Sequence, residues 1–213
     1  DAILHETRLP VIEDCTECIG GCFEDGTPLG TKGTIGIMGF GSNSPIYCGE
    51  GGACITRNSS IARTIRELRN CEGRLPDPRA FNFKMADIVA VAIREMLPLL
   101  SERIQLREEI ADSYDAAYGV RSLRSTSSRH QAVCQTYAIR TGNTIDDFLQ
   151  AAHYEAIVCR RPVWRPLHFS LGGHCPNAER LHHELVALPI YPSLESQEIT
   201  RICQLSAKLE MLK

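Results

Sequence analysis

Nowhere in the 213 residues is there a run of roughly 18 or more apolar side chains, so no membrane-crossing helix is expected. The opening DAILHETRLP lacks the basic-then-apolar order of a secretory signal, and a soluble, cytoplasmic protein is expected. Positive charge is not in excess either. With 23 Lys and Arg against 26 Asp and Glu the net charge is −3, which gives no general attraction to nucleic acid or to an acidic membrane surface. What the chain does have is 43% hydrophobic content over a length that allows one or two domains with a sizeable core.

Cysteine is plentiful, with ten residues, but they are spread over nearly the whole chain instead of crowding a small loop-rich module. Without a secretory signal this favours reduced thiols over a disulfide framework. The one cluster, Cys15, Cys18 and Cys22, has neither the order of an iron–sulfur motif nor the second CxxC of a zinc ribbon. At i, i+3 and i+7 the three thiols fit one face of a helix and read as small buried hydrophobes in preference to metal ligands. His174, Cys175, His182 and His183 are close in sequence, yet adjacent His182 and His183 point to different helix faces, so a metal site is not expected there either.

The stretch from Thr34 to Asn58, TIGIMGFGSNSPIYCGEGGACITRN, carries the most chemical information. An apolar strand-like run empties into small polar residues, then into Gly49-Glu50-Gly51-Gly52, then into a second short strand. Glycines so placed let the backbone take φ > 0 and approach a ligand closely, although such a turn is also what a plain tight connection uses. Upstream, Val11-Ile12-Glu13-Asp14 puts a carboxylate at a strand end, the side of an α/β sheet where ligands bind. The bland alternative is that Asp14 caps the next element.

Asn58-Ser59-Ser60 reads as the N-cap of a helix over 61–70 that Gly73, Pro76 and Pro78 bring to an end. A long helical pattern runs from about Phe81 to Tyr118, with Ile88, Val91, Ile93, Met96, Leu97, Leu100 and Ile104 as its apolar stripe and Pro98 as a kink. The Ser/Arg-rich 119–129 reads as a linker. Beyond it the pattern gives a strand over 131–141, a helix over 143–153, a strand over 154–160, a helix over 177–187 and a closing helix over 196–212, an α+β outline. The chain opens on a helix tail, 2–8, that feeds directly into an apolar strand, from which a preceding portion of the fold is expected.

Taken together, Val11–Asp14, Gly39-Phe40 followed by the GEGG turn, Phe81-Asn82-Phe83-Lys84-Met85, and Leu188-Pro189-Ile190-Tyr191-Pro192-Ser193-Leu194 resemble the DegT/StrS family of sugar aminotransferases. That resemblance implies an α/β fold: part of a type I pyridoxal-phosphate (PLP) large domain over residues 1–118, including the long interface helix, then a small C-terminal domain over 119–213. It implies PLP as cofactor, amino transfer from glutamate to a keto-sugar nucleotide, and a homodimer or a heteromer with an N-terminal-half or lysine-bearing chain. By the same resemblance Asp14 pairs with the pyridine nitrogen, and Glu17 stands where the family has Gln or His against the cofactor. Asn82 reaches a neighbouring subunit's PLP phosphate, an amide being able to donate to phosphate oxygen. Arg165 and His168, in a segment like the family's Trp-x-Pro-x-His, contact substrate.

One departure matters most: Ser44 stands where the family's catalytic lysine stands. A lysine amine can join covalently to the PLP carbonyl and shuttle a proton; a serine hydroxyl at neutral pH can do neither. Gly39 also replaces the family's phosphate-contacting serine, and a complete PLP site is not expected from this chain alone. Three readings follow: a C-terminal portion that needs an N-terminal polypeptide, a non-catalytic partner subunit, or a nucleotide-sugar binding module.

Overall fold

The computed structural model describes residues 9–69, 77–124, 133–142 and 145–211. Two compact units make up the chain, one built up to Glu102 and the other from Arg103 onward, with 130–133 assigned to the first.

In the N-terminal unit three strands form one sheet: β1 (Ile12–Cys15), β2 (Ile35–Gly39) and β3 (Gly52–Ile55), in that order. β1 and β2 run parallel, with Asp14 opposite Ile37, and β2 and β3 antiparallel, with Gly39 opposite Gly52. Parallel neighbours are usually joined by a helix. Here the connection is made of turns, pinned back on β1 by the Glu13 carboxylate, which accepts from the Gly30 N–H at 2.9 Å and from the Gly33 N–H. Helix α1 (Ser59–Leu68) starts at Asn58, whose side chain accepts from the Ser60 and Ile61 amides, as the sequence suggests. Gly73 and Pro76 lie outside the described residues.

The single long helix expected from Phe81 is instead two. Residues 81–86 form no regular element, α2 covers Asp87–Met96, a 3-10 turn follows at Leu97–Leu99, and α3 runs Leu100–Tyr118. Pro98 has no N–H for an i→i−4 bond, so the α-helix gives way to the tighter turn there. The stripe divides as well. Ile93 is buried in a small core with Cys15, Ile19, Met38, Phe40 and Ile46, and Val89, Met96 and Leu100 pack on it, while Ile88 is 80% exposed. The three clustered thiols share no helix face. Cys15 ends β1, a turn carries Cys18, and Gly20 at φ +87° takes the chain into a left-handed conformation before Cys22.

The C-terminal unit has a two-stranded antiparallel sheet, β4 (Tyr137–Arg140) with β5 (Leu185–Leu188), packed among α3, α4 (Ile145–Tyr154) and α7 (Ser196–Met211). α5 (His168–Leu171) is a single turn, and α6 (Pro176–Glu184) leads straight into β5. The helix expected to reach Ala187 therefore stops at Glu184, because the apolar Leu185–Leu188 pairs with β4. The strand expected over 154–160 contracts to one bridge between Arg160 and Ala187, since the chain turns at Ala156 with φ +57°. Its core is continuous: Tyr114, Tyr118, Tyr137, Phe148, Val186, Ile202, Leu205 and Leu209 are all buried. Inside it the hydroxyls of Tyr114 and Tyr118 donate to the Pro189 and Ile202 carbonyls at 2.8 and 2.6 Å. Among the described residues no helix is long and apolar enough to cross a membrane.

Candidate functional site

Because β1 and β2 are parallel, their C-terminal ends emerge on one edge, and the residues that follow each strand share that edge. Asp14 sits there, exposed, with its Oδ1 accepting from both the Thr16 hydroxyl at 2.7 Å and the Thr16 N–H at 3.1 Å. These bonds, the hydroxyl's first, hold the Asp14 carboxyl below its ordinary pKa, so it is an anion near neutrality. Thr16 also packs on the end of β2: a Cβ added at Gly39 would lie 3.1 Å from Thr16 Cβ and 3.2 Å from its carbonyl oxygen. Glu17 follows on the same turn, also exposed. Sequence reasoning passed over Thr16 and Glu13. An Asp followed two residues later by Thr is the pattern of a side chain folding back on local backbone, and that signal was there to be read.

From Gly39 the chain makes a closed excursion to β3. Phe40 N–H donates to the Gly51 carbonyl at 2.9 Å and Cys48 N–H to the Phe40 carbonyl at 3.1 Å. Ile46, fully buried in the unit's core, anchors its middle. In the GEGG turn Gly49 and Gly51 take φ +84° and +131°, conformations that require glycine. Ser44 lies within the excursion, only 2% exposed, its N–H bonded to the Gly41 carbonyl and its Oγ buried without a hydrogen-bond partner.

Asn82 is exposed, in the irregular segment that precedes α2. That segment is fastened to the end of α1 by Phe81 N–H and Phe83 N–H, which donate to the Leu68 and Arg69 carbonyls. Its Met85 reaches the Gly-rich turn, so closely that a Cβ at Gly51 would stand 2.9 Å from Met85 Cε. Thus Asp14, Glu17, Ser44 and Asn82 all belong to one unit. Arg165 and His168 belong to the other. Arg165 is exposed and donates to its neighbour Phe169's carbonyl at 3.2 Å. The His168 ring is tucked against Phe169, with Nε2 3.3 Å from Glu179 Oε1 but outside hydrogen-bonding alignment.

A three-stranded mixed sheet with carboxylates at its C-terminal edge, a glycine-rich turn beside them and helices packed around defines a portion of an α/β fold of the type I PLP class. The chain belongs to the DegT/DnrJ/EryC1/StrS aminotransferase family, whose profile matches residues 1–206. It is 28% identical over 213 residues to a UDP-N-acetyl-3-dehydro-alpha-D-glucosamine 3-aminotransferase of Acidithiobacillus ferrooxidans, a match covering 94% of this chain and 57% of that protein. To the GDP-perosamine synthase of Escherichia coli O157:H7 it is 28% identical over 214 residues, covering 92% and 57%. A DegT DnrJ EryC1 StrS aminotransferase from Brucella abortus superposes with a TM-score of 0.83 at 25% identity, covering 97% of this chain and 59% of that one. The chain therefore spans less than two thirds of the length of the relatives it matches.

The residues present fit PLP only in part. An ionised carboxylate at Asp14 suits a protonated pyridine nitrogen, and the Asn82 amide suits a phosphate oxygen. Covalent attachment at position 44 does not fit, because the buried side chain there is a hydroxyl and not an amine.

Proposed function

We propose that this chain supplies one part of a nucleotide-sugar aminotransferase assembly, the strand-end carboxylates and the interface amide, and performs no amino transfer unaided. The observation that carries this reading is the free flank of β1. Leu9 is 74% and Ile12 61% exposed, and among the described residues β1 pairs only with β2. An apolar strand edge of that kind is a template for another strand, and a preceding segment or a second polypeptide that pairs there would complete the sheet. Asp14 would then face the pyridine nitrogen of the cofactor, Glu17 would add a second negative charge beside it, and Asn82 would serve a neighbouring subunit. Arg165 and His168 would meet the sugar nucleotide. The assembly is a homodimer or a heteromer with an N-terminal-half or lysine-bearing chain.

Ser44 favours a second reading, a non-catalytic partner subunit, because the missing amine must then come from another chain. A nucleotide-sugar binding module is the remaining alternative.

Native mass spectrometry of the protein from its own source separates the first two readings from the binding module. A complex that contains a second, lysine-bearing chain and the mass of PLP is the expected result; a cofactor-free homo-oligomer overturns it. Ser44→Lys offers a second readout, since borohydride should trap PLP on Lys only when the complementing polypeptide is present. Trapping in the isolated chain would show that the site is already complete.

A further inference from the structure

Two of the cysteines lie three residues apart where β1 gives way to the turn that follows it. Cys15 is the last residue of β1, and the Cys18 N–H donates to the Cys15 carbonyl at 3.2 Å. A turn closed by that i→i+3 bond brings its end Cα atoms within about 7 Å, the span over which a disulfide can form. The two side chains also share surroundings. Cys15 is buried in the core of the N-terminal unit and Cys18 packs against the same core, whereas Cys22, four residues on, is not among its members.

Both thiols are free, and they differ in access: Cys15 is 3% exposed and Cys18 is half-buried. Burial first, then the Cys18 thiol beside it, pushes the Cys15 thiol up to about 12, and burial raises Cys18 as well. Little thiolate is therefore present near neutrality, and exchange with a small disulfide is slow. Thiols of raised pKa are also poor leaving groups, so a bond once made between them resists reduction. Only Thr16 and Glu17 lie between the two cysteines, and Thr16 is the residue that donates to Asp14. A link across this turn would tie it down beside the strand-end carboxylate.

We propose that Cys15 and Cys18 are a reversible dithiol, which a small disulfide such as oxidised glutathione converts to a disulfide across the turn. Cys18, the more accessible, attacks as thiolate on one sulfur of the small disulfide, whose S–S bond breaks and releases one thiol. Cys15 then gives up its proton and attacks the Cys18 sulfur of the mixed disulfide, which releases the second. The protein loses two electrons and two protons, and the small disulfide takes them up as two thiols. The step needs neither cofactor nor partner chain and so stands apart from the amino-transfer reading.

The test is to hold the full chain at about pH 8, where thiolate is more abundant, in mixtures of reduced and oxidised glutathione, then quench with acid, alkylate and digest. Cleavage after Glu13, Glu17 and Glu24 puts Cys15 and Cys18 on separate peptides, which mass spectrometry follows. The expected result is that these two peptides stay joined until dithiothreitol is added, in Cys22→Ser as in the native chain and not in Cys18→Ser. Because the fold already closes the turn, the ratio of joined to free pairs should drop about tenfold or more when the same mixture contains concentrated urea. Peptides that separate without reduction, Cys18 held only as a glutathione adduct, a link from Cys15 to Cys22 or Cys48 instead, or a ratio in urea equal to the native one or above it would each overturn the proposal.

Discussion

The two units solve the same problem, holding a small sheet, by unequal means. In the C-terminal unit a two-stranded ribbon is wrapped by three helices, and the aromatic rings of Tyr114, Tyr137 and Phe148 are sealed in its centre. One polar cluster at its border is satisfied from within. Arg124 bridges Glu108, Asp112 and Asp115, and Asp115 also accepts from Ser122 and Tyr137. In the N-terminal unit a larger sheet rests on a smaller core of Cys15, Ile19, Met38, Phe40, Ile46 and Ile93, with Leu9, Ile12, Ile55, Phe83 and Ile88 left in solvent. One unit is finished as a fold, and the other carries the strand-end chemistry and leaves apolar surface to be covered. The larger core and the exposed strand-end carboxylates thus lie in different parts of the chain, and each can be perturbed separately.

The largest effect should come from the sealed core. Phe148→Ala removes a ring with no exposure and should cost about 3–5 kcal/mol in urea unfolding. Hydrogen exchange should show the loss in amides of α3, β4 and α7, with β1–β3 little changed. Equal loosening of both sheets would mean that the units are one cooperative block. The N-terminal unit answers to Gly36→Ala. A Cβ there would come within 2.1 Å of the Gly30 carbonyl oxygen, so either the turn or β2 must move, at a cost of about 1–3 kcal/mol confined to β1–β3.

How much of this could be read from residues alone follows the same division. β2, the glycine turn and α1 announce themselves because apolar alternation, Gly and Asn58 act locally. The errors fall where a distant partner decides. Leu185–Leu188 continues the apolar pattern of α6 and becomes a strand only because Tyr137–Arg140 lies alongside it. Ala156 gives no turn signal at all, and its positive φ is imposed by context. At the site, strand-end placement made Asp14 visible, whereas the role of Thr16 depends on Gly39 lying beside it. That Ser44 would be buried was not legible, since nothing in GSNSP fixes which side chain turns inward.

Acid should separate the units next. Burial pushes the Asp115 carboxyl up, but its hydrogen bonds from Ser122, Tyr137 and Arg124 outweigh that and hold it below its ordinary value. A carboxylate lowered in the folded state contributes stability that is fully present above its unfolded pKa of about 3.9 and is lost as pH falls through the folded value. Melting of the C-terminal unit should therefore weaken as pH drops below about 4, and Asp115→Asn should flatten that slope. An unchanged slope in the variant would assign the acid sensitivity elsewhere.

The smallest effect is the most informative about the site. If the Ser44 hydroxyl is buried without a partner, Ser44→Ala removes an unmet hydrogen-bonding group from the interior at almost no loss of volume. Its stability change should then be neutral or favourable, by no more than about 1 kcal/mol, whereas breaking a satisfied buried hydrogen bond typically costs 1 kcal/mol or more. Chemical denaturation of the isolated chain, followed by β2 and β3 amides, gives the number. A loss well above about 1 kcal/mol would show that the hydroxyl is engaged, and position 44 would have to be read as a structural serine. A neutral result leaves the excursion between β2 and β3 closing over a side chain that does nothing for the fold, which is the condition expected where the residue that once justified the loop's shape has been replaced.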